Sequence, residues 1–217
     1  MIVIMSLVVV ALFFVLFIVI LFALLDYMDF LKIPVVKADV LQANSYIAFT
    51  FQGALADAGV CTEYSINMIK SITGRIFLFP QIYCLYHNST DENQLSANVR
   101  YTLLFPVDTV EGLRERINAS PDKNKLLVIK VPSLRVASSS FTYRNFLSYS
   151  LGQIRIYPFI TKYARENGII DTSTVLECYG VGEPIKYHLV LEHQEYFAGL
   201  REMEPIIVDS EFRKNHV

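Results

Sequence analysis

"FTYRNFLSYSLGQIRIYPFITKYARENG", residues 141–168, runs into "VLECYGVGEPIKYHLVLE", residues 175–192. The first stretch reads as a long helix. Asn145 is a good cap for its start, Pro158 is expected to bend or restart it, and Gly168 stops it. The second reads as a hairpin. Its turn lies near Gly180–Pro184, and Ile185, Tyr187, Leu189 and Leu191 alternate along its second arm. Ahead of the helix, "KLLVIKV" (125–131) and "LRVASSSFTY" (134–143) are strand-like on either side of Pro132. The order is strand, helix, strand, strand.

The preceding residues repeat that order. "NSYIAFTFQG" (44–53) alternates, with Ile47, Phe49 and Phe51 on one side and Tyr46, Ala48 and Thr50 on the other. "DAGVCTEYSINMIKSITG" (57–74) places Cys61, Ser65, Met68, Ile69 and Ile72 at helical spacing and ends on a glycine. "RIFLFPQIYCLY" (75–86) is apolar and strand-like, and Pro80 within it predicts an edge position or a bulge. "QLSANVRYTLLF" (94–105) alternates through Val99, Tyr101, Leu103 and Phe105. "VEGLRERI" (110–117) is a short helix with Val110, Leu113 and Ile117 on one face. Two such units predict an α+β domain, an antiparallel sheet with helices packed on one face.

The chain begins with a different kind of segment. From Ile2 to Leu25 only Ser6 is clearly polar. Such a helix reaches roughly 36 Å, enough to cross a hydrocarbon core of about 30 Å. It has no basic residue before the apolar run, no A-x-A cleavage pattern, and too long an apolar core for a signal peptide. A transmembrane helix over 2–25 is expected, acting as a signal-anchor. Lys32 and Lys37 after it favour a cytosolic body. Asn88 and Asn118 stand in N-x-[ST] patterns, which would suit a luminal one. The odd set Cys61, Cys84 and Cys178 is no disulfide framework and fits a reducing compartment. The cytosolic side is the expectation.

The formal net charge is −2, and Lys and Arg are scattered without a basic stripe, so no direct nucleic-acid binding is expected. There is no G-x-S-x-G, no P-loop and no H-E-x-x-H, and "GVGEP" reads as a turn. No enzyme activity and no cofactor are expected. Cys84 and His87 are spaced C-x-x-H, with His188 and His193 far along the chain. A zinc site would need these to converge, and no metal is expected.

Several strings together resemble the testis-expressed protein 264 family, an N-terminal anchor followed by a GyrI-like domain. They are "YIAFTFQGAL", "VRYTLLF", "FTYRNFLSYSLGQIRIYPFITKYARENGI" and "LECYGVGEPIKYHLVLEHQEYF", covering most of residues 39–198. The resemblance implies a single-pass endoplasmic-reticulum membrane protein with a cytosolic GyrI-like domain over 39–198. It implies a reticulophagy receptor that binds Atg8-type proteins, and an adaptor for the p97 ATPase. The family carries its Atg8-binding motif in a long acidic tail. Here residues 201–217 are expected to form a short tail, too short for a receptor's reach.

Atg8-type recognition pairs an aromatic and an aliphatic residue three apart in an extended segment. "EYFAGL" offers Phe197 and Leu200; "DFLKI" offers Phe30 and Ile33 beside the membrane. GyrI-like domains also hold small amphipathic ligands in a groove between their two units. Tyr83, Tyr101, Tyr143, Tyr149 and Tyr187 are the aromatic candidates for its lining, with Glu177 as a guess for an acidic partner. The leading expectation is a non-enzymatic membrane adaptor, for autophagy or p97. The alternative is a binding module for amphipathic small molecules.

Overall fold

The computed structural model describes residues 2–74, 79–87, 99–107, 112–169 and 171–216. Helix α1 (Ile2–Tyr27) is followed by β1 (Lys37–Leu41), β2 (Asn44–Gly53), α2 (Ala58–Thr73), β3 (Gln81–Tyr86), β4 (Val99–Val107), α3 (Leu113–Ala119), β5 (Leu127–Val131), β6 (Leu134–Phe141), α4 (Leu147–Glu166), β7 (Val175–Gly180), β8 (Ile185–Val190), α5 (Ala198–Glu202), β9 (Ile206–Ile207) and α6 (Ser210–His216). The strands form one sheet in the order β1-β6-β8-β7-β3-β4-β2-β5, with β9 beside β2. All pairings are antiparallel except that of β9 with β2.

The two strand–helix–strand–strand units, β2-α2-β3-β4 and β6-α4-β7-β8, meet at the antiparallel pair β3–β7 in the middle of the sheet. β3 is therefore central and not the edge that Pro80 suggested. Pro80 precedes the first paired residue, Gln81, so its missing N–H interrupts no ladder bond. β1 pairs with β6 of the second unit, and β5 pairs with β2 of the first. Each unit thus receives its outermost strand from the segment that leads into the other.

The pleat sends alternate residues to two faces. Ile47, Phe49, Phe51, Cys84, Tyr101, Leu103 and Phe105 point to the face covered by α2, which contributes Cys61, Met68 and Ile69. Ala137, Phe141, Ile185, Tyr187 and Leu189 point to the same face under α4, which contributes Ile156, Ile160 and Ala164. Ser148, Gly152, Ile156, Ile160 and Ala164 recur every four residues as the buried stripe of α4. The helix runs through Pro158 without a break. The carbonyl that loses its donor there belongs to Ile154, an exposed residue, where water can replace the bond.

The opposite face is covered too. Tyr46, Ala48, Leu85, Leu104, Leu134, Val136 and Val190 pack beneath Phe197 and Leu200. Of the stretch expected to be a short tail, 201–217, the described residues through 216 belong to the fold. β9 extends the sheet beside Phe51 and Gln52. Gly53 allows the close approach: a Cβ there would lie 2.7 Å from Val208 Cβ. Helix α6 then lays Phe212 against Phe51 and Tyr64, and Arg213 pairs with Asp57 at 2.8 Å.

Helix α1 is long and apolar enough to span a membrane, and none of its Val10–Tyr27 window is buried in the fold. It ends in a tight turn. The Phe30 N–H bonds back to the Leu25 carbonyl at 2.9 Å, and Asp29 takes φ 58°, the left-handed residue of a Schellman-type cap. Thr142 Oγ1 donates to Asp29 Oδ2 at 2.5 Å, and Lys32 pairs with Asp29 at 2.6 Å. These two contacts hold the Asp29 carboxyl below its usual range, Lys32 contributing most. Met28 is buried, and Phe30 and Val36 pack on the α4 core. The exit of α1 is therefore fastened to the start of α4. Asn118 is exposed at the end of α3, and Asn88 lies outside the described residues.

Candidate functional site

β7 carries a carboxylate where the sheet is most enclosed. Glu177 is register-paired with Cys84 on β3 and with Tyr187 on β8. Glu177 and Tyr179, two apart, share the face under α4. On α4, Tyr149, Gln153 and Tyr157 recur at intervals of four, a stripe beside the buried one.

These two stripes meet at Glu177, which is fully buried. Gln153 Nε2 donates to Glu177 Oε1 at 3.0 Å, and the Tyr157 hydroxyl donates to the same oxygen at 2.8 Å. The Tyr179 hydroxyl donates to Oε2, and Gln153 reaches that oxygen at 3.3 Å. Burial pushes the carboxyl up to about 7, while the bonds from Tyr179, Tyr157 and Gln153 pull it back. The donors themselves stay neutral, since burial holds the Tyr157 and Tyr179 phenols well above their ordinary range. No ion pair to Glu177 occurs among the described residues. A buried carboxylate met by neutral donors and no cation is incompletely compensated when ionised.

An aromatic ladder leads from Glu177 outward. The Tyr179 ring meets Tyr149 edge-on at 5.3 Å, and Tyr149 meets Tyr143 at 5.4 Å. Tyr143 and Tyr149 are exposed. On the other side the Tyr179 and Tyr86 hydroxyls lie 3.4 Å apart. Tyr179 packs against the α2 core and the α4 core alike, so it marks the seam between the two units. Rings around a buried carboxylate suit a cation with apolar substituents. The carboxylate supplies the charge and the ring faces supply cation–π attraction and apolar surface.

The floor holds one more feature. Tyr187 is fully buried beneath Tyr157, whose ring meets it edge-on at 6.0 Å. Its hydroxyl finds no hydrogen-bond partner among the described residues, and neither does Ser139 Oγ, its register partner on β6. Gly152 makes room for that hydroxyl: a Cβ there would come within 2.3 Å of it.

Of the five tyrosines expected to line a groove, the structure brings Tyr143, Tyr149 and Tyr187 to this site. Tyr101 lies farther along the same face, donating to Cys61 Sγ at 3.2 Å. Tyr83 is on the opposite face, edge-on to Tyr46 at 5.5 Å, and takes no part. Sequence reasoning missed Gln153, Tyr157 and Tyr179. The i,i+4 pair Gln153/Tyr157 and the i,i+2 pair Glu177/Tyr179 were the available signals.

The Atg8-type pair fares differently. Phe197 and Leu200 are 1% and 0% exposed and stand in consecutive helical turns, packed on Tyr46, Leu104 and Leu134. An extended, exposed presentation would require tearing them from the core, so this pair is not a docking motif in the folded domain. Cys84 and His188 fall on opposite faces, Cys84 beside Glu177 and His188 bonded through Nδ1 to Ser138 Oγ at 2.7 Å. Burial holds His188 down at about 4. The spaced Cys and His residues do not converge.

No protein-family model matches the chain, and no curated protein matches it. Solved structures do. The chain is similar to EcmrR in its DNA complex within EcmrR-RPo, with a TM-score of 0.54 and 11% identity over 80% of this chain. It spans 64% of that EcmrR chain. The crystal structure of the EcmrR C-terminal domain alone matches with a TM-score of 0.51 and 10% identity, over 73% of this chain and 98% of that domain. SAV2435, solved bound to tetraphenylphosphonium, matches with a TM-score of 0.42 and 10% identity, over 75% of this chain and 96% of that one. At such identities the EcmrR likeness is one of fold. The molecule is an α+β domain that shares the fold of the EcmrR C-terminal domain, preceded by one apolar helix.

Proposed function

We propose that this chain is a membrane-anchored binding module for amphipathic small molecules that carry a positive charge. Glu177 is the charge partner, Tyr157 and Tyr179 hold and flank it, and Tyr149 and Tyr143 form the outer wall. The observation that carries the reading is the Glu177 carboxylate, fully buried, bonded by three neutral donors and with no cation paired to it among the described residues. Desolvation keeps that group near its titration point, so a ligand cation gains more there than at a solvated carboxylate. The buried Cys84 thiol beside it is pushed well above its ordinary range, which speaks for binding and against a thiolate nucleophile.

The test is isothermal titration of the purified full chain with tetraphenylphosphonium, against a neutral analogue of the same size and against Glu177→Gln. Saturable binding of the cation, lost with the neutral analogue and in the variant, supports the reading. Equal binding in all three arms, or none in any, removes it.

By resemblance, α1 holds the module in the endoplasmic-reticulum membrane with the domain in the cytosol. Protease protection of a C-terminal tag in microsomes, with an endoglycosidase lane, tests that placement. A protected tag and a glycosylated chain would put the body in the lumen. The adaptor role toward Atg8-type proteins and p97 rests on the resemblance alone. Phe197 and Leu200, the candidate motif for Atg8-type binding, lie in the core and lend it no support.

A further inference from the structure

The surface around the exit of α1 is apolar well beyond the helix itself. Tyr27 is 58% exposed, Ile33 77%, Val35 74% and Phe146 74%, with Leu31 and Leu147 also exposed. These residues belong to three elements: the end of α1, the segment leading to β1, and the start of α4. The structure ties them to one place. Thr142 bonds Asp29, the Arg144 guanidinium lies over the Tyr27 ring at 5.3 Å, and Asn145 Nδ2 contacts Met28 Sδ at 3.7 Å. Arg155 donates to the Lys32 carbonyl at 3.1 Å and sits over Phe30 and Phe159. The apolar side chains are interleaved with Lys37, Arg144 and Arg155 and with the exposed acids Asp26 and Asp39, while Lys32 and Asp29 pair with each other.

We propose that this collar is a lipid-contact surface and that its occupant is the bilayer in which α1 is anchored. The inference rests on the anchored reading given above. Three observations select a bilayer over a protein partner. The collar is continuous with the exposed apolar surface of α1. Its apolar side chains alternate with cations and aromatic rings, the mixture that suits the headgroup level and anionic lipids. Its parts are fastened to the helix exit, so wherever α1 enters lipid, Phe146 and Ile33 arrive at the interface with it. The domain then lies against the membrane and does not hang from a tether. Tyr143, between Thr142 and Arg144, places the outer end of the tyrosine ladder at the lipid surface, so the ligand that reaches Glu177 is one that partitions into the bilayer.

The sequence contains no tryptophan, so each introduced one is the only indole reporter. The full chain is reconstituted in phosphatidylcholine–phosphatidylserine vesicles, with and without brominated acyl chains, as three separate variants. Phe14→Trp reports on the span, Phe146→Trp on the collar, and Tyr196→Trp on the segment covering the opposite face of the sheet from α4. The expected result is strong quenching at 14, roughly twofold quenching with a blue shift at 146, matching shallow burial at the headgroup boundary, and none at 196. Quenching at 14 with a water-exposed, unquenched 146 probe overturns the lipid-contact surface and leaves the anchor standing. No quenching at 14 removes the anchor and the collar with it, while the tetraphenylphosphonium titration still judges the Glu177 site on its own.

Discussion

Glu177 on β7 and Tyr187 on β8 are register partners on the face under α4, and they are opposites in hydrogen bonding. The carboxylate collects three donors, and the hydroxyl beside it has none among the described residues. The Tyr187 hydroxyl lies instead beside Gly152 of α4. A buried polar group left without a partner costs about 1–3 kcal/mol, so this floor is not arranged for stability alone.

The first prediction concerns stability against pH. Glu177 titrates at about 7 in the fold and 4.5 as an ordinary glutamate, so the folded state holds the proton more tightly. Its contribution is fully present below pH 4.5 and is lost as pH rises through 7. Glu177→Gln keeps the shape and removes the titration. In urea unfolding the variant is expected to exceed the wild type at pH 8 by on the order of 3 kcal/mol and to match it near pH 4.5. Parallel pH curves for the two proteins would mean that Glu177 does not titrate in this window.

Ligand binding carries the opposite sign. A cation prefers the ionised carboxylate, so binding expels the proton. Affinity for tetraphenylphosphonium is expected to rise from pH 5.5 to about 7 and then level, approaching tenfold per unit on the acid side. Titrations in two buffers of different ionisation heat should show proton release near pH 6.5. A flat affinity across this range would sink the carboxylate as the charge partner.

Gly152 and Tyr187 form a testable pair. Gly152→Ala places a methyl 2.3 Å from the Tyr187 hydroxyl and is expected to destabilise by about 1–3 kcal/mol. Tyr187→Phe removes an unpaired hydroxyl and should be close to neutral or stabilising. The double variant is expected to recover most of the loss, read as a coupling energy in a double-mutant cycle. Simple additivity would place the strain elsewhere.

Truncating the buried pair on the far face should act through folding. Leu200→Ala is expected to cost about 2–5 kcal/mol and Phe197→Ala about 3–5. Loss of Atg8-protein binding by either variant without loss of stability would reinstate the pair as a docking motif.

Much of the architecture was legible because alternation and helical spacing are local. The strand written in "NSYIAFTFQG" spans Asn44–Gly53, and the two long helices end beside Gly74 and Gly168. β1 was not legible. Only Leu41 of "KADVL" is buried, so no apolar pattern marks it, and its partner β6 lies far along the chain. The site was half legible for a related reason. Treating α4 as interrupted at Pro158 left Tyr157 without a face, and with it the Gln153–Tyr157 stripe. β3 is buried on both faces of the sheet, so "QIYCLY" puts Tyr83 and Cys84 on opposite faces without saying which of the two carries the site. At Phe197 and Leu200, a spacing of three serves a helical core contact and an extended motif alike, and the helix won.

The exchange of outer strands has a consequence during synthesis. β1 leaves the ribosome soon after α1, yet its partner β6 follows roughly ninety residues later, a long-range closure of the kind that slows folding. The first unit likewise lacks β5, the strand that covers the Asn44–Ala48 edge of β2, until most of the chain has emerged. For that interval the nascent chain carries an open strand edge. The last strand to join is β9, which pairs with Phe51 and Gln52 of a strand made about 150 residues earlier.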